Sequence, residues 1–267
     1  MITSTSNERV RRVVSYVEKS KARREADVFV IEGMKMLREA PVLQVREVYV
    51  TERFIENASD EDQEILWRYG AETVSEEVMN KMADTKTPQG VIAVISQYHY
   101  TEEEVIEGYN QEDKDAKPLI LVLENIQDPG NLGTMLRSGE GAGVTGVILS
   151  KGSADIYNPK VIRSTMGSIF RMPFIYVESV PEMLKKLKNA GVHTYAAHLK
   201  GEKNYDEFDY TKPTAFLIGN EGNGLTKETA DAADTYILIP MKGEVESMNA
   251  ATSSAILTFE ASRQRRG

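Results

Sequence analysis

The sequence predicts an α/β protein with two domains, the larger of which holds a mostly parallel β-sheet with helices on both faces. Three observations support this prediction: a length of 267 residues, an alternation of short aliphatic runs with helix-like stretches after residue 116, and an acidic polar run just before it. At roughly 150 residues per domain, the length corresponds to about two domains. We therefore place a first domain at residues 1–100, an acidic linker at 101–116 and a second domain at 117–267.

The first domain is predicted to be a small α/β unit. Val10, Val13, Val14 and Val17 recur at helical spacing, so they predict one apolar stripe of a helix over Arg9–Lys21. Strands are expected at Val28–Ile31, Glu47–Val50 and Val91–Ile95, with helices at Gly33–Ala40 and Asp60–Tyr69.

The second domain shows the stronger alternation. Six short β-branched or aliphatic runs predict strands at Leu119–Leu123, Gly146–Leu149, Phe174–Val177, Thr194–Ala197, Ala215–Ile218 and Tyr236–Ile239. Helices are expected at Asn131–Gly141, Pro159–Met166, Pro181–Ala190, Thr226–Ala233 and Ala250–Arg263. Strands that alternate with helices specify a mostly parallel sheet.

The composition excludes several classes of protein. The chain has no cysteine and only three scattered histidines, so it has no disulfide or thiolate zinc site, and a histidine metal centre is not expected. No apolar run approaches the roughly 18 residues of a membrane helix, and the charged first residues do not form a signal peptide. We therefore expect a cytoplasmic protein with no metal and no membrane partner.

The net charge of −9 is unevenly distributed. Residues 1–40 carry +3, residues 41–116 carry −12 and residues 117–267 are neutral. The basic N-terminal segment includes Arg11, Arg12, Arg23 and Arg24, which are candidate phosphate contacts for a nucleic acid. A solvated helix face is the alternative interpretation of the same residues.

Three loops that follow predicted strands carry unusual side chains. In an open α/β sheet, ligands bind beyond the carboxyl ends of the strands. The loop at 124–133 holds Asn125 and Asn131 and leads into a helix with Arg137, the loop at 219–225 has three glycines, and the loop at 239–249 holds Ser247 and Asn249. Ser247 or Asn249 is equally explained as an N-cap of the last helix.

A glycine motif that suggests a dinucleotide site is misplaced. Residues 141–146 match the pattern G-x-G-x-x-G, but they follow a predicted helix and precede a predicted strand. The dinucleotide fingerprint requires the reverse order, so we interpret Gly141 and Gly143 as helix-terminating glycines. No P-loop pattern is present.

Taken together, the three loops resemble the motifs of the SpoU/TrmH family of S-adenosylmethionine-dependent RNA ribose 2′-O-methyltransferases, in the SPOUT superfamily. The matching residues are Asn125 and Asp128–Asn131 with Gly133 and Arg137, then Gly219–Glu221 with Gly224, then Ile239–Met241 with Ser247–Asn249. The N-terminal run Phe29–Gly33 is similar to the substrate-binding domain of many members, whose fold resembles RNA-binding ribosomal proteins. Met248 and Ala250–Ala251 depart from the family pattern, which usually has leucine and Val-Ser there.

The resemblance implies a trefoil knot in the second domain, a homodimer through that domain, and RNA rather than DNA as the partner. It implies S-adenosylmethionine as the cofactor, bound by Leu199, Gly219, Asn220, Gly224, Ile239, Met241 and Met248. The implied catalytic residues are Arg137, Asn131, Ser247 and Asn249. We add Glu221 to them as a residue that orients Arg137 or stiffens its loop, with a purely structural role as the alternative. The RNA contacts are expected at Arg11, Arg12, Arg23, Arg24 and Arg163, with Lys160 and Arg171 as further candidates near the catalytic loops.

The implied reaction needs an attacking 2′-oxygen aligned with a methyl group and stabilised as it gains charge. An arginine stays protonated at neutral pH, so we expect Arg137 to pin a phosphate and stabilise the emerging alkoxide rather than act as a base. Ribosomal RNA is the favoured substrate. The alternatives are transfer RNA, a non-catalytic RNA-binding factor on the same fold, and a nucleotide-dependent oxidoreductase that depends on the misplaced glycines.

Overall fold

The computed structural model describes residues 1–107, 117–244 and 247–266. Its contacts divide the chain into two compact units. The first unit contains Met1–Tyr98 and Asp155–Phe170, and the second contains His99–Ala154 and the residues from Arg171 onward. Of the linker predicted at 101–116, residues 108–116 lie outside the described residues.

The first unit is built around a four-stranded mixed sheet. Its strands are β1 (Val28–Glu32), β2 (Val45–Thr51), β3 (Glu72–Val74) and β4 (Val91–Ser96), in the order β1-β4-β2-β3. Strand β4 pairs antiparallel with β1 and β2, whereas β2 and β3 are parallel. Its helices are α1 (Glu8–Glu18), α2 (Ser20–Ala26), α3 (Met34–Glu39), α4 (Glu52–Asn57), α5 (Asp60–Arg68) and α6 (Glu76–Met82).

The predicted valine stripe faces the core of this unit. Val10, Val13 and Val17 are buried and pack in one cluster with residues of the sheet and of α6. The single helix predicted over Arg9–Lys21 is wrong, because Lys19 is extended and separates α1 from α2. The Arg23 guanidinium donates to the carbonyls of Tyr16 (2.7 Å) and Val17 (3.1 Å), so it satisfies the end of α1 in place of further helical bonds.

The second unit holds a six-stranded sheet in which all pairs are parallel. Its strands are β5 (Leu119–Leu123), β6 (Gly146–Ser150), β7 (Phe174–Val177), β8 (His193–Ala197), β9 (Thr214–Ile218) and β10 (Thr235–Ile237), in the order β10-β8-β9-β5-β6-β7. Strands β5, β6 and β9 are buried along their whole length, as expected for a parallel sheet covered on both faces. The predicted α/β class and parallel sheet are confirmed, while the knot stays a prediction.

Among the described residues, five α-helices accompany this sheet: α7 (Glu102–Glu107), α8 (Pro129–Ala142), α10 (Val180–Asn189), α11 (Lys227–Ala232) and α12 (Ala250–Arg266). Helix α7 falls in the predicted linker, yet its Val105 is fully buried in the core of the second unit. A Cβ at Gly146 would lie 2.7 Å from the Val105 carbonyl oxygen, so only glycine permits this approach. None of the helices within the described ranges is long and apolar enough to cross a membrane.

A segment of the predicted second domain belongs to the first unit. Helix α9 (Pro159–Thr165) lies in the stretch Asp155–Phe170, whose contacts are with the N-terminal residues. The Tyr157 ring stacks on Phe29 with centroids 4.8 Å apart, and Asp155 pairs with the buried Arg23 at 2.5 Å. The sequence predicts this stretch as part of 117–267, whereas its packing is that of the first unit.

Candidate functional site

A cavity of about 360 Å³ opens at the carboxyl ends of β8, β9 and β10 and at the start of α12. The sequence predicts seven cofactor-binding residues, and the structure brings all of them to the wall of this cavity: Leu199, Gly219, Asn220, Gly224, Ile239, Met241 and Met248. Because the strands are parallel, loops that are distant in sequence meet at this edge of the sheet.

The glycine-rich loop forms one wall of the cavity from backbone. Asn220 and Gly224 exchange two backbone hydrogen bonds, of 3.0 and 2.8 Å. A Cβ on Gly219 would lie 2.1 Å from the Gly224 carbonyl carbon, so a side chain at this position does not fit. The Asn220 carboxamide holds the turn, since Oδ1 accepts from the amides of Gly222 (2.9 Å) and Asn223 (3.0 Å) and Nδ2 donates to the Asn125 carbonyl (2.9 Å). The predicted backbone-lined concavity is therefore present.

The wall of the cavity combines apolar side chains with one carboxylate. Leu199 is 68% exposed at the cavity, and Ile239, Met241 and Met248 add further apolar surface. Glu221 supplies a carboxylate, and no lysine or arginine of the described chain lines the cavity. A volume of about 360 Å³ lies within the usual range of roughly 300–1,000 Å³ for small-molecule sites.

His198 also lines this cavity, although it belongs to none of the sequence motifs. Its ring stacks on Tyr236 with centroids 4.9 Å apart, and its Nδ1 accepts from the Lys200 amide at 3.1 Å. The neutral ring therefore carries its proton on Nε2. In the sequence, His198 could have been found from its position at the end of a strand, directly before Leu199.

Three predicted catalytic residues meet in a hydrogen-bonded chain. Asn249 Nδ2 donates to Asn131 Oδ1 (3.0 Å), and Asn131 Nδ2 donates to Glu221 Oε1 (2.9 Å). The Glu221 carboxylate also accepts from the backbone amides of Asp128 (3.3 Å) and Gln127 (3.4 Å). Desolvation raises the pKa of Glu221, but these hydrogen bonds outweigh it and hold the pKa below its ordinary value. One residue from each of the three predicted loops thus joins the Asn131–Glu221–Asn249 chain.

The ends of two helices fix this chain in place. Asp128 caps α8 by accepting from the Asn131 amide at 2.7 Å. Asn249 caps α12, because its Oδ1 accepts from the amides of Ala251 (2.9 Å) and Thr252 (3.2 Å). The alternative role of Asn249 as an N-cap is therefore correct, and its Nδ2 is still available for Asn131. Ser247 lines the cavity, while residues 245 and 246 lie outside the described residues.

Arg137 does not join this cluster within the chain. It is exposed on α8, does not line the cavity, and makes no hydrogen bond or ion pair in the part of the chain that the structure describes. It lies six positions after Asn131, which corresponds to about 9 Å along the helix axis and about 120° around it. Arg137 is thus an uncommitted cation beside the site.

The predicted RNA contacts separate into three kinds. Arg11 and Arg24 are exposed and have no ionic partner among the described residues, whereas Arg12 pairs with Glu47 at 2.8 Å and Arg163 with Asp84 at 2.5 Å. The prediction for Arg23 is wrong, because its side chain is 3% exposed and its guanidinium is bound to Asp155 and two carbonyls. Of the further candidates, Lys160 is exposed and Arg171 pairs with Glu140.

The chain is similar to known RNA methyltransferases. A model of the SpoU rRNA methylase family matches residues 118–259, and a model of the MRM3-like substrate-binding domain matches residues 7–93. The chain is 31% identical over 239 residues, 90% of both chains, to 23S rRNA (guanosine(2553)-2′-O)-methyltransferase RlmP of Bacillus subtilis. An AdoMet-bound rRNA methyltransferase from Sinorhizobium meliloti superposes with a TM-score of 0.83 at 29% identity, covering 98% of this chain and 97% of that one. The SpoU methyltransferase AviRb from Streptomyces viridochromogenes, in complex with AdoMet, gives 0.83 at 26% identity over 98% and 99%.

Proposed function

The chain belongs to the SpoU rRNA methylase family, and we propose that it transfers a methyl group from S-adenosylmethionine to a ribose 2′-hydroxyl of ribosomal RNA. The observation that carries the proposal is the cavity lined by the 219–225 and 239–249 loops, together with the Asn131–Glu221–Asn249 chain that ties the 124–133 loop to both. Ribosomal RNA is favoured over transfer RNA because the similar B. subtilis enzyme, named for 23S rRNA, aligns over 90% of both chains.

The residues of the cavity fit S-adenosylmethionine. Leu199, Ile239, Met241 and Met248 offer apolar surface, and the backbone of the 219–224 loop offers uncharged donors and acceptors. The absence of lysine and arginine from the described wall suits a positively charged ligand, and Glu221 favours it. When bound, this cofactor supplies a methyl group on a sulfonium, which is transferred without a metal or a redox step.

The chain's own residues have to hold the ribose in place. Asn131 uses its Oδ1 and one Nδ2 hydrogen within the Asn131–Glu221–Asn249 chain, and Asn249 uses one Nδ2 hydrogen. One N–H of each carboxamide is left to donate to a ribose oxygen. Neither amide can rotate by 180° without setting oxygen against oxygen, so Glu221 acts as the residue that fixes both orientations. Ser247, at the wall of the same cavity, is proposed to assist in orienting the substrate.

Arg137 is proposed to bind the phosphate next to the target ribose and to stabilise negative charge as it develops on the 2′-oxygen. Because arginine is a poor base at neutral pH, the hydroxyl proton passes to water or to a neighbouring phosphate. We also propose a homodimer through the second unit, and a cytoplasmic location in which ribosomal RNA is met.

The first unit is proposed to hold the RNA. Arg11 and Arg24 are exposed and uncommitted within the described residues, so they are the strongest candidates for phosphate contacts. Arg12 and Arg163 keep exposed surface beside their carboxylate partners and are proposed as secondary contacts. The match of residues 7–93 to a substrate-binding domain supports this division of labour.

The test is methylation of unmodified 23S ribosomal and transfer RNA with labelled S-adenosylmethionine, followed by mass-spectrometric mapping of the product. We expect one ribose-methylated nucleotide in ribosomal RNA, with the signal lost in Arg137→Ala. Arg137→Lys tests whether methylation requires the positive charge alone or also the planar guanidinium, since lysine keeps the charge but not the planar fork. Binding of RNA with no affinity for S-adenosylmethionine would favour the non-catalytic alternative. Binding of NAD instead of S-adenosylmethionine would refute the proposal.

A further inference from the structure

A second cavity, of about 220 Å³, lies between the loops that follow β5 and β9. These two strands are neighbours at the centre of the sheet, but the chain leaves them in opposite directions, from β5 towards β6 and from β9 towards β10. Loops that diverge in this way open a crevice at the carboxyl edge of a parallel sheet, and such a crevice is a preferred place for ligands.

The second cavity is distinct from the cofactor cavity but shares a wall with it. Asn125 and Gln127 line only the second cavity. Asn223 and Gly224 line both, so the 220–225 loop presents one side to each cavity. A ligand in the second cavity therefore lies next to the cofactor without competing for its site.

The lining carries no charged side chain, and part of its polar surface is uncommitted. The Asn220 carboxamide and the Thr226 hydroxyl are used in hydrogen bonds within the protein. The side-chain amides of Gln127 and Asn223 are exposed and make no hydrogen bond with any residue that the structure describes. The cavity therefore offers two free carboxamides on opposite loops.

A carboxamide places a donor beside an acceptor, which is the pattern that the edge of a nucleobase presents in return. No lysine or arginine of the described chain lines the cavity, which disfavours a phosphate. A volume of about 220 Å³ is below the range of drug-sized ligand sites, roughly 300–1,000 Å³, and suits a single ring system. We propose that this cavity binds a nucleobase of the RNA substrate, held by Gln127 and Asn223, an assignment that rests on the proposed methyltransferase function.

The experiment compares Gln127→Ala and Asn223→Ala with the wild type and with Asn189→Ala. Asn189 is an exposed carboxamide at the end of α10, before the amino end of β8 and away from both cavities, so it is a matched control. The probes are unmodified 23S rRNA transcripts, with each base at and beside the methylated nucleotide replaced in turn, and S-adenosylmethionine alone for calorimetry.

For Gln127→Ala we expect KM for RNA to rise about 5- to 150-fold, which corresponds to about 1–3 kcal/mol for one base contact. The cofactor Kd should stay within about twofold of the wild type, and the penalty for replacing one particular base should shrink. A purely structural effect would not reduce the penalty at one base selectively. Asn223→Ala should reduce the same penalty, with an additional effect on the cofactor because it lines both cavities, and Asn189→Ala should change neither quantity.

Methylation by the wild type with unchanged KM and base preference in both variants would overturn the assignment of this cavity and leave the proposed function intact. Weaker cofactor binding in Gln127→Ala with an unchanged KM for RNA would show that the cavity serves the cofactor, and would also overturn it. Absence of any RNA methylation by the wild type would refute the proposed function, and the cavity assignment with it.

Discussion

Arg23 and Arg24 are adjacent on α2, yet replacing each with alanine is expected to have a different consequence. Arg23 is 3% exposed and donates to Asp155 at 2.5 Å and to two carbonyls of α1. Removing one partner of a buried ion pair costs about 3–5 kcal/mol. Because the Asp155 side chain is 29% exposed and regains water, we expect Arg23→Ala to lower the free energy of unfolding by about 2–4 kcal/mol.

Arg24→Ala is the matched control, since Arg24 is exposed and unpaired among the described residues. Its free energy of unfolding should change by less than about 0.5 kcal/mol. If it contacts a phosphate, RNA affinity should fall and the slope of log affinity against log salt should decrease by about 1.

Stability is measured by urea denaturation followed by circular dichroism, and hydrogen exchange locates the effect. In Arg23→Ala, residues 155–170 should exchange faster than in the wild type, because Asp155 loses its anchor. Arg23→Lys, which keeps the charge but loses the fork, should be intermediate. Wild-type stability in Arg23→Ala, together with a salt slope changed as much as in Arg24→Ala, would refute the structural role and restore Arg23 as an RNA contact.

Gly219→Ala should lower the affinity for S-adenosylmethionine at least about 100-fold, because its Cβ would meet backbone at 2.1 Å. Gly222→Ala, with its nearest neighbour at 3.6 Å, should bind normally, and equal affinities by calorimetry would contradict the backbone argument. Met166 has φ +50°, in the left-handed region that favours glycine, so Met166→Gly should raise the free energy of unfolding by up to about 1 kcal/mol. Met166→Ala keeps the backbone strain and should not raise it. Thermal denaturation compares the two variants. The lowered pKa of Glu221 means that its ionised form stabilises the fold above pH 4.5 and that this contribution is lost as pH falls through the lowered pKa. The difference in free energy of unfolding between Glu221→Gln and the wild type should therefore shrink in acid, by less than about 1 kcal/mol because the side chain is exposed. A difference that stays the same between about pH 3 and pH 7 would contradict this.

Much of the architecture was predictable because hydrophobic periodicity reports burial directly. The run Leu119–Leu123 is apolar at each position and forms β5 with the predicted bounds. The three-residue strand β3 and the short helices α4 and α6 were missed, since segments of this length carry too little periodicity to stand out. A short helix in the acidic linker was expected, but the packing of α7 was not, because a single buried valine anchors an otherwise acidic stretch.

The site was predictable where function depends on loops at strand ends, and less so where it depends on partners distant in sequence. Six of the seven cavity residues could be placed from their motifs, because parallel strands bring such loops together, whereas Leu199 was placed by the family resemblance alone. The burial of Arg23 could not, since its partner Asp155 is 132 residues away and nothing in a basic run indicates which arginine turns inward. The second cavity was not predicted, because Gln127 and Asn223, whose side chains line it, belong to no motif.

The membership of Asp155–Phe170 in the first unit has a consequence for the order in which the protein assembles on the ribosome. A domain that ended at Tyr98 would be able to fold as soon as that residue had left the exit tunnel. Here another 72 residues, up to Phe170, have to be translated first, which takes about 4–14 s at the usual 5–20 residues per second. During this interval the Phe29 ring lacks the tyrosine that stacks on it and Arg23 lacks its carboxylate. The first unit therefore cannot be completed until residues 155–170 have been synthesised, by which time part of the second unit has also been translated.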